Sequence, residues 1–201
     1  MSSSVVHLID DDEDVRRALA FLLGTAGLAV QVYESASDFL ARHDASATGC
    51  IVTDVRMPGI DGLELLRRLR EKECAAPVIV MTGHADVPMA VDAMKNGAVD
   101  FIEKPFADAS LLDAIARAIK LSERPAVPGQ DPAARERFAT LSDRERQVLS
   151  GLLAGLPNKT IAYDLGLSPR TVEVHRANVM SKTGVSSLSE LVRLALQGGI
   201  S

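Results

Sequence analysis

The sequence predicts two domains of different class, a doubly wound α/β domain on a five-stranded parallel sheet and then an all-α domain of four helices. Three observations carry this. From Val5 to Ser122 short β-rich apolar runs alternate with stretches of helical periodicity, the pattern of a parallel sheet covered on both faces. Between Ser122 and Ala134 stand Pro125, Pro128, Gly129 and Pro132, which rule out one continuous helix. Beyond them strand signals disappear.

The strands expected in the first half are Val5 to Ile9, Leu28 to Tyr33, Gly49 to Thr53, Val78 to Met81 and Ala98 to Ile102, each followed by a helix. Ser35 with Asp38 forms a candidate capping box, and Asp86 and Asp108 stand where helices should begin. In the second half Ser142 and Glu145 open a helix with apolar Val148, Leu149, Leu152 and Leu153. A second helix runs from about Asn158 to Leu165 and stops at Gly166. Ser168 as cap and Pro169 in the first turn open a third, ending at Gly184, and Ser187 with Glu190 starts the last. The domains are expected at 1–122 and 137–201, with a connector at 123–136.

An apolar fraction of 47% suffices for packed cores. No apolar run approaches the ~20 residues of a membrane span, and the opening Met1 to His7 lacks a signal-peptide pattern, so a cytoplasmic protein is expected. Cys50 and Cys74 have no paired spacing and no histidine cluster near them, which argues against a disulfide frame or zinc site. The net charge of −5 conceals an asymmetry: residues 1–124 hold 13 Lys+Arg against 20 Asp+Glu, residues 125–201 hold 9 against 7. Only the second half suits an acidic partner surface or nucleic acid.

In a doubly wound sheet the residues just past the carboxyl ends of the strands share one crevice. Here those ends supply Asp10-Asp11-Asp12, Asp54, Thr82 and Lys104-Pro105. Any single aspartate after a strand can be a turn cap, but four complementary groups at four strand ends point to one site. Clustered carboxylates call for a compensating cation, and all-oxygen ligands favour a hard ion such as Mg²⁺. The set suits phosphoryl transfer. Asp54, alone at the end of a central strand, is the candidate nucleophile, and the grouped aspartates are candidate metal ligands. The Thr82 hydroxyl and the Lys104 ammonium can each meet a phosphoryl oxygen.

Leu8-Ile9-Asp10-Asp11-Asp12, Asp54-Val55-Arg56-Met57-Pro58-Gly59, Met81-Thr82-Gly83-His84 and Phe101-Ile102-Glu103-Lys104-Pro105-Phe106 together resemble a two-component receiver domain, a flavodoxin-like fold. The resemblance implies that Asp54 is the phosphoacceptor. It implies that Asp10, Asp11, Asp54 and the Arg56 backbone carbonyl organise Mg²⁺, that Thr82 and Phe101 switch together, and that the Lys104-Pro105 peptide is cis. Asp12 stands where these domains often carry glutamate and is expected to be peripheral. Arg56 and His84 flank the pocket, either governing water access and phosphoryl lifetime or simply lying on the surface.

In the second half, helix, tight turn and helix form a helix-turn-helix, whose second helix, Ser168 to Gly184, would enter the major groove. On it Val172, His175 and Val179 form the expected core stripe. Glu173 is suited to a cytosine amino group, Val174 to a thymine methyl, and Arg170 or Arg176 to phosphate or guanine. The segments Leu141 to Leu149, Leu156 to Ala162 and Ser168 to Arg176 resemble LuxR-type domains, so Lys159, Thr171, Ala177 and Lys182 join the expected DNA-facing set.

The order of the domains, with Gly83-His84-Ala85-Asp86-Val87-Pro88-Met89-Ala90 and His175-Arg176-Ala177-Asn178-Val179-Met180, resembles the FixJ group of response regulators. That resemblance implies a partner sensor histidine kinase, a homodimer on phosphorylation, double-stranded DNA and RNA polymerase as partners, and oxygen-responsive or nitrogen-fixation genes as targets. Two competing readings remain. Asp10-Asp11-Asp12 after an apolar strand also resembles the nucleophile signature of haloacid-dehalogenase-type phosphatases, with Asp10 attacking and Asp12 as acid, but this leaves the Asp54 motif and the second half unexplained. A receiver that is never phosphorylated and only binds proteins is opposed by the complete Asp11, Asp54, Thr82 and Lys104 set.

Overall fold

The computed structural model describes residues 5–43, 49–83, 87–122 and 131–200. Five strands, β1 (Val5–Ile9), β2 (Ala29–Tyr33), β3 (Cys50–Asp54), β4 (Val78–Thr82) and β5 (Asp100–Glu103), form one sheet in the order β2-β1-β3-β4-β5, every pair parallel. The helices of this half are α1 (Glu13–Thr25), α2 (Ala36–Arg42), α3 (Gly62–Glu71), α4 (Val87–Lys95) and α5 (Asp108–Ser122). The remaining helices are α6 (Pro132–Glu136), α7 (Asp143–Leu153), α8 (Asn158–Leu165), α9 (Pro169–Thr183) and α10 (Leu188–Gln197). They fall into two compact units, one holding the sheet with α1–α3 and α5, the other α4 with α6–α10. The second unit thus takes in α4, which the sequence places in the first half.

Strands β3 and β4 are buried at every position, as apolar runs in the middle of a parallel sheet must be. Val6, Leu8, Val52, Ile79 and Met81 meet Leu19 and Leu23 of α1 and Leu111, Ile115 and Ala118 of α5 in one core. Cys50 lies in it, and burial pushes its thiol up to about 12, which leaves it unreactive at neutral pH.

The expected caps form with local variations. Ser35 accepts from the Asp38 amide, while the Asp38 carboxylate pairs with Arg42 one turn on. Ser142 and Glu145 make both arms of a capping box. Ser187 accepts from the Glu190 amide, but the Glu190 carboxylate reaches back to Ser186, one residue before the cap. Asp108 opens α5, whereas Asp86 lies outside the described residues. Pro132–Glu136, placed within the connector on the strength of its proline, is a helix: Asp131 caps it and Pro132 occupies the first turn, where a missing N–H costs nothing.

Candidate functional site

The switch in strand order between β1 and β3 opens a crevice at their carboxyl ends, and the chain leaves β1 into Asp10 and β3 at Asp54. The Lys104 ammonium bridges the two carboxylates, 2.7 Å from Asp10 Oδ2 and 2.6 Å from Asp54 Oδ1. Asp10 is only 1% exposed and Asp54 7%. The Arg56 amide donates to Asp54 Oδ2 at 2.6 Å and the Asp12 amide to Asp10 Oδ1 at 3.0 Å, so each carboxylate is oriented by backbone as well as by lysine. Lys104 is itself fixed by its amide, which donates to the Thr82 carbonyl at 2.7 Å, and its peptide to Pro105 is cis. Burial works against the charged ammonium, but hydrogen bonds to Asp10 and Asp54 and their charges prevail and hold Lys104 above the ordinary lysine range.

Thr82, fully buried, ends β4 beside these groups in sequence register, and Phe101 on β5 is half-buried. Asp11 and Arg56 are exposed, and among the described residues no three acidic, histidine or cysteine side chains converge on one point. Asp12 turns to α1, accepting from the amides of Asp14 and Val15 at 2.8 and 3.2 Å as its N-cap. His84 lies outside the described residues.

In the helical unit, α8 ends at Gly166 in the left-handed conformation, Ser168 caps α9 through the Thr171 amide, and Val172 and Val179 are fully buried. His175, the third member of that stripe, is half-buried, and its Nδ1 has no protein partner. The outer face of α9 exposes Arg170, Glu173, Val174 and Ala177, with Thr171 and Arg176 half-exposed; Lys159 is exposed on α8. An exposed valine on a recognition helix suits apolar contact in a groove.

Residues 6–116 match the response regulator receiver domain model, and residues 139–195 match bacterial regulatory proteins of the luxR family. The transcriptional regulatory protein FixJ of Rhizobium meliloti (strain 1021) is 55% identical over 202 residues, covering 99% of this chain and 98% of that protein. The chain belongs to the FixJ-type response regulators. The crystal structure of full-length FixJ from B. japonicum matches this regulator with a TM-score of 0.58 and 50% identity, covering 99% of this chain and 98% of that one. The C4-dicarboxylate transport transcriptional regulatory protein DctR of Rhodobacter capsulatus is 43% identical to the regulator over 195 residues, 96% of this chain and 99% of that protein.

Two features of the regulator depart from a local reading of its sequence. Lys182, assigned to the DNA face, donates to Glu145 Oε2 at 2.7 Å. Glu145 is nearly buried and also accepts from the amide and hydroxyl of Ser142, so this pair ties the start of α7 to the end of α9. Lys182, followed by the Ser142 backbone, holds the Glu145 carboxyl down at about 2 against an ordinary 4.5. A depressed carboxyl stabilises the fold above its unfolded pKa and loses that contribution as pH falls through the folded one. Acid titration of the intact chain followed by helix content should therefore show a loss of stability between about 4.5 and 2 that Glu145→Gln removes. An identical acid limb in both proteins would contradict it.

The second is Gly62, which no motif singled out. A Cβ there would lie 2.2 Å from the Asp54 carbonyl oxygen, so the first turn of α3 sits against the backbone of Asp54. Its amide donates to the Val55 carbonyl at 3.0 Å, and Asp61 caps the helix through the Glu64 amide at 2.7 Å. The only sequence signal was an Asp-Gly pair, which reads as a turn.

Proposed function

We propose that Asp54 accepts a phosphoryl group from a phosphohistidine of a partner sensor kinase, and that this modification controls sequence-specific DNA binding by the helical domain. The observation that carries the reading is Asp54 itself: a buried carboxylate at the end of a central strand, held at both oxygens, facing a lysine. As Asp54 attacks phosphorus, the histidine N–P bond breaks, the imidazole leaves with the bonding pair, and an acyl phosphate forms. Lys104 then exchanges its Asp54 contact for a phosphoryl oxygen, and the Thr82 hydroxyl donates to another. That movement, with Phe101 and the chain around Pro105, favours a second receiver conformation and a homodimer that presents two recognition helices to two half-sites.

Receiver domains in general bind Mg²⁺ at the phosphorylation site. The donors here fit a hard divalent ion, since two buried carboxylates face a single ammonium and offer oxygen ligands. Asp10, Asp11, Asp54 and the Arg56 carbonyl would hold it, and when bound it neutralises charge on the phosphoryl oxygens.

Arg170, Thr171, Glu173, Val174, Arg176 and Ala177 are the groove-facing residues of this reading, with Lys159 on the backbone. Lys182 keeps a phosphate contact only if one of its three donors is left over from Glu145. The functional domains are 1–122 and 137–201, the protein acts in the cytoplasm, it regulates transcription with RNA polymerase as a partner, and it turns over no substrate. No described helix is long and apolar enough to cross a membrane. Oxygen-responsive or nitrogen-fixation genes are the targets that the likeness to FixJ supports, and the C4-dicarboxylate transport regulator DctR shows that proteins of this build also regulate other processes.

The test is DNA binding by the intact protein and by Asp54→Asn, with Mg²⁺, with and without a small phosphodonor such as acetyl phosphate, using sites selected from a random duplex pool. Phosphodonor should tighten binding and promote dimerisation in the wild type, by about tenfold or more for a coupling of typical size, and do neither in the variant. Equal binding under every condition would sink the phosphorylation switch and leave DNA binding standing.

A further inference from the structure

The chain leaves β1 and enters α1 through five consecutive acidic residues, Asp10 to Asp14, and two arginines follow them. Arg17 behaves as a surface arginine in such company should, pairing with Asp14 where both side chains are exposed. Arg16 does not. Among the described residues it is in no ion pair; half-buried, it donates through Nη1 to the main-chain carbonyl of Asp10 at 2.7 Å. That carbonyl stands where the sheet ends: the Asp10 amide donates to the Tyr33 carbonyl of β2 at 3.3 Å, and the chain then turns into α1. The Asp12 amide closes the turn on Asp10 Oδ1 at 3.0 Å, and the Asp12 carbonyl accepts from the amide of Arg16 at 3.0 Å. Arg16 therefore grips the turn at both ends, by its backbone at Asp12 and by its side chain at Asp10. Asp11 lies exposed between the two points, so the turn sets where its carboxylate can go.

From this geometry we infer that Arg16 is a positioning residue for the cation site: by clamping the Asp10 carbonyl to α1 it holds the turn in the form that presents Asp10 and Asp11 to Mg²⁺. The inference rests on the reading of the strand ends as a Mg²⁺-assisted phosphorylation site. The sign of the effect separates a clamp from a charge. As a cation near the site, the guanidinium repels a second cation, and its removal would on that ground tighten Mg²⁺ binding. As a clamp, its removal weakens binding, because ordering the released turn then costs conformational entropy at the moment the ion binds. Groups that orient metal ligands are typically worth about tenfold to a hundredfold in affinity.

The experiment titrates Mg²⁺ alone, without phosphodonor, into the full-length protein by calorimetry. Arg16→Gln should bind at least about tenfold more weakly than wild type. Arg16→Lys keeps the charge and a donor and should recover most of that loss. Arg17→Gln removes the same charge one residue on and should bind within about twofold of wild type, because its exposed pair carries little. Thermal unfolding in EDTA checks that each variant is folded, and amide exchange in EDTA reads the turn without metal or chemistry: the Asp12 amide should be protected in wild type and exchange faster in Arg16→Gln. Wild-type or tighter Mg²⁺ affinity in folded Arg16→Gln would overturn the inference, as would an equal weakening in Arg17→Gln. An unprotected Asp12 amide in wild type would overturn it whether or not any variant folds. Failure of the wild type itself to bind Mg²⁺ would instead overturn the reading on which the inference rests.

Discussion

Replacing Lys104 with methionine should destabilise the sheet-bearing unit by about 3 kcal/mol at neutral pH and slow phosphoryl transfer to Asp54 at least about a hundredfold. The stability loss follows from what the lysine leaves behind. Asp10 and Asp54 are both nearly buried, and each gives one oxygen to the same ammonium at 2.7 and 2.6 Å. Removing it strands two carboxylates around an apolar side chain, and breaking a buried pair costs more than the pair contributes in place. The gap between the two proteins should then narrow with rising pH in a defined sense. The Lys104 pKa is raised by its partners, so the lysine's contribution is complete below the ordinary lysine pKa and fades only as pH rises through the raised value. Chemical denaturation of both proteins at pH 7 and at increasing alkaline pH reads this directly. A methionine variant as stable as wild type at pH 7 would show that the ion triad carries no structural weight. The rate is read separately, from incorporation of phosphoryl group supplied by acetyl phosphate.

How far the sequence discloses this protein depends on whether a feature is set by local pattern or by through-space packing. The strands were legible because β3 and β4 are continuous apolar runs, and placing the strands automatically places Asp10, Asp54, Thr82 and Lys104 at one end of the sheet. Boundaries moved by one or two residues: β2 begins at Ala29 and β5 at Asp100, and β3 and β4 include Asp54 and Thr82. The helix ends at Gly166 and Gly184 were legible for the same local reason, since both adopt the left-handed conformation glycine permits. Asp12 was harder. Within an aspartate triplet it reads as one more acidic site residue, yet its position directly before α1 makes it the cap. The pairing of Lys182 with Glu145 spans 37 residues, and nothing in the local sequence of α9 distinguishes a lysine aimed at DNA from one aimed at α7. Gly62 is the extreme case, because what fixes it is the position of a carbonyl at the end of β3.

Gly62→Ala should consequently be among the most damaging single-methyl additions in the chain. The new Cβ would meet the Asp54 carbonyl oxygen at 2.2 Å, the Asp54 carbonyl carbon at 3.0 Å and the Val55 Cα at 3.1 Å. All three are backbone atoms, so no side chain can rotate away; α3 or the end of β3 must move, on the order of 1 Å, at a cost of about 1–3 kcal/mol. The consequence for chemistry is larger than that for stability. Asp54 owes its orientation to the Arg56 amide and Lys104, both at 2.6 Å, and a displacement of the strand end loosens both contacts together. A misplacement of ~1 Å can cost about a hundredfold in rate, so phosphorylation by acetyl phosphate should fall by roughly that factor in a protein that remains folded. Gly24→Ala, in α1 with nothing within 4 Å of the added carbon, is the matched control and should phosphorylate like wild type. If Gly62→Ala instead phosphorylated at the wild-type rate with an unchanged melting temperature, the approach of α3 to the Asp54 backbone would have to be slack enough to absorb a methyl group. The precise seating of Asp54 would then depend on Lys104 and the Arg56 amide alone.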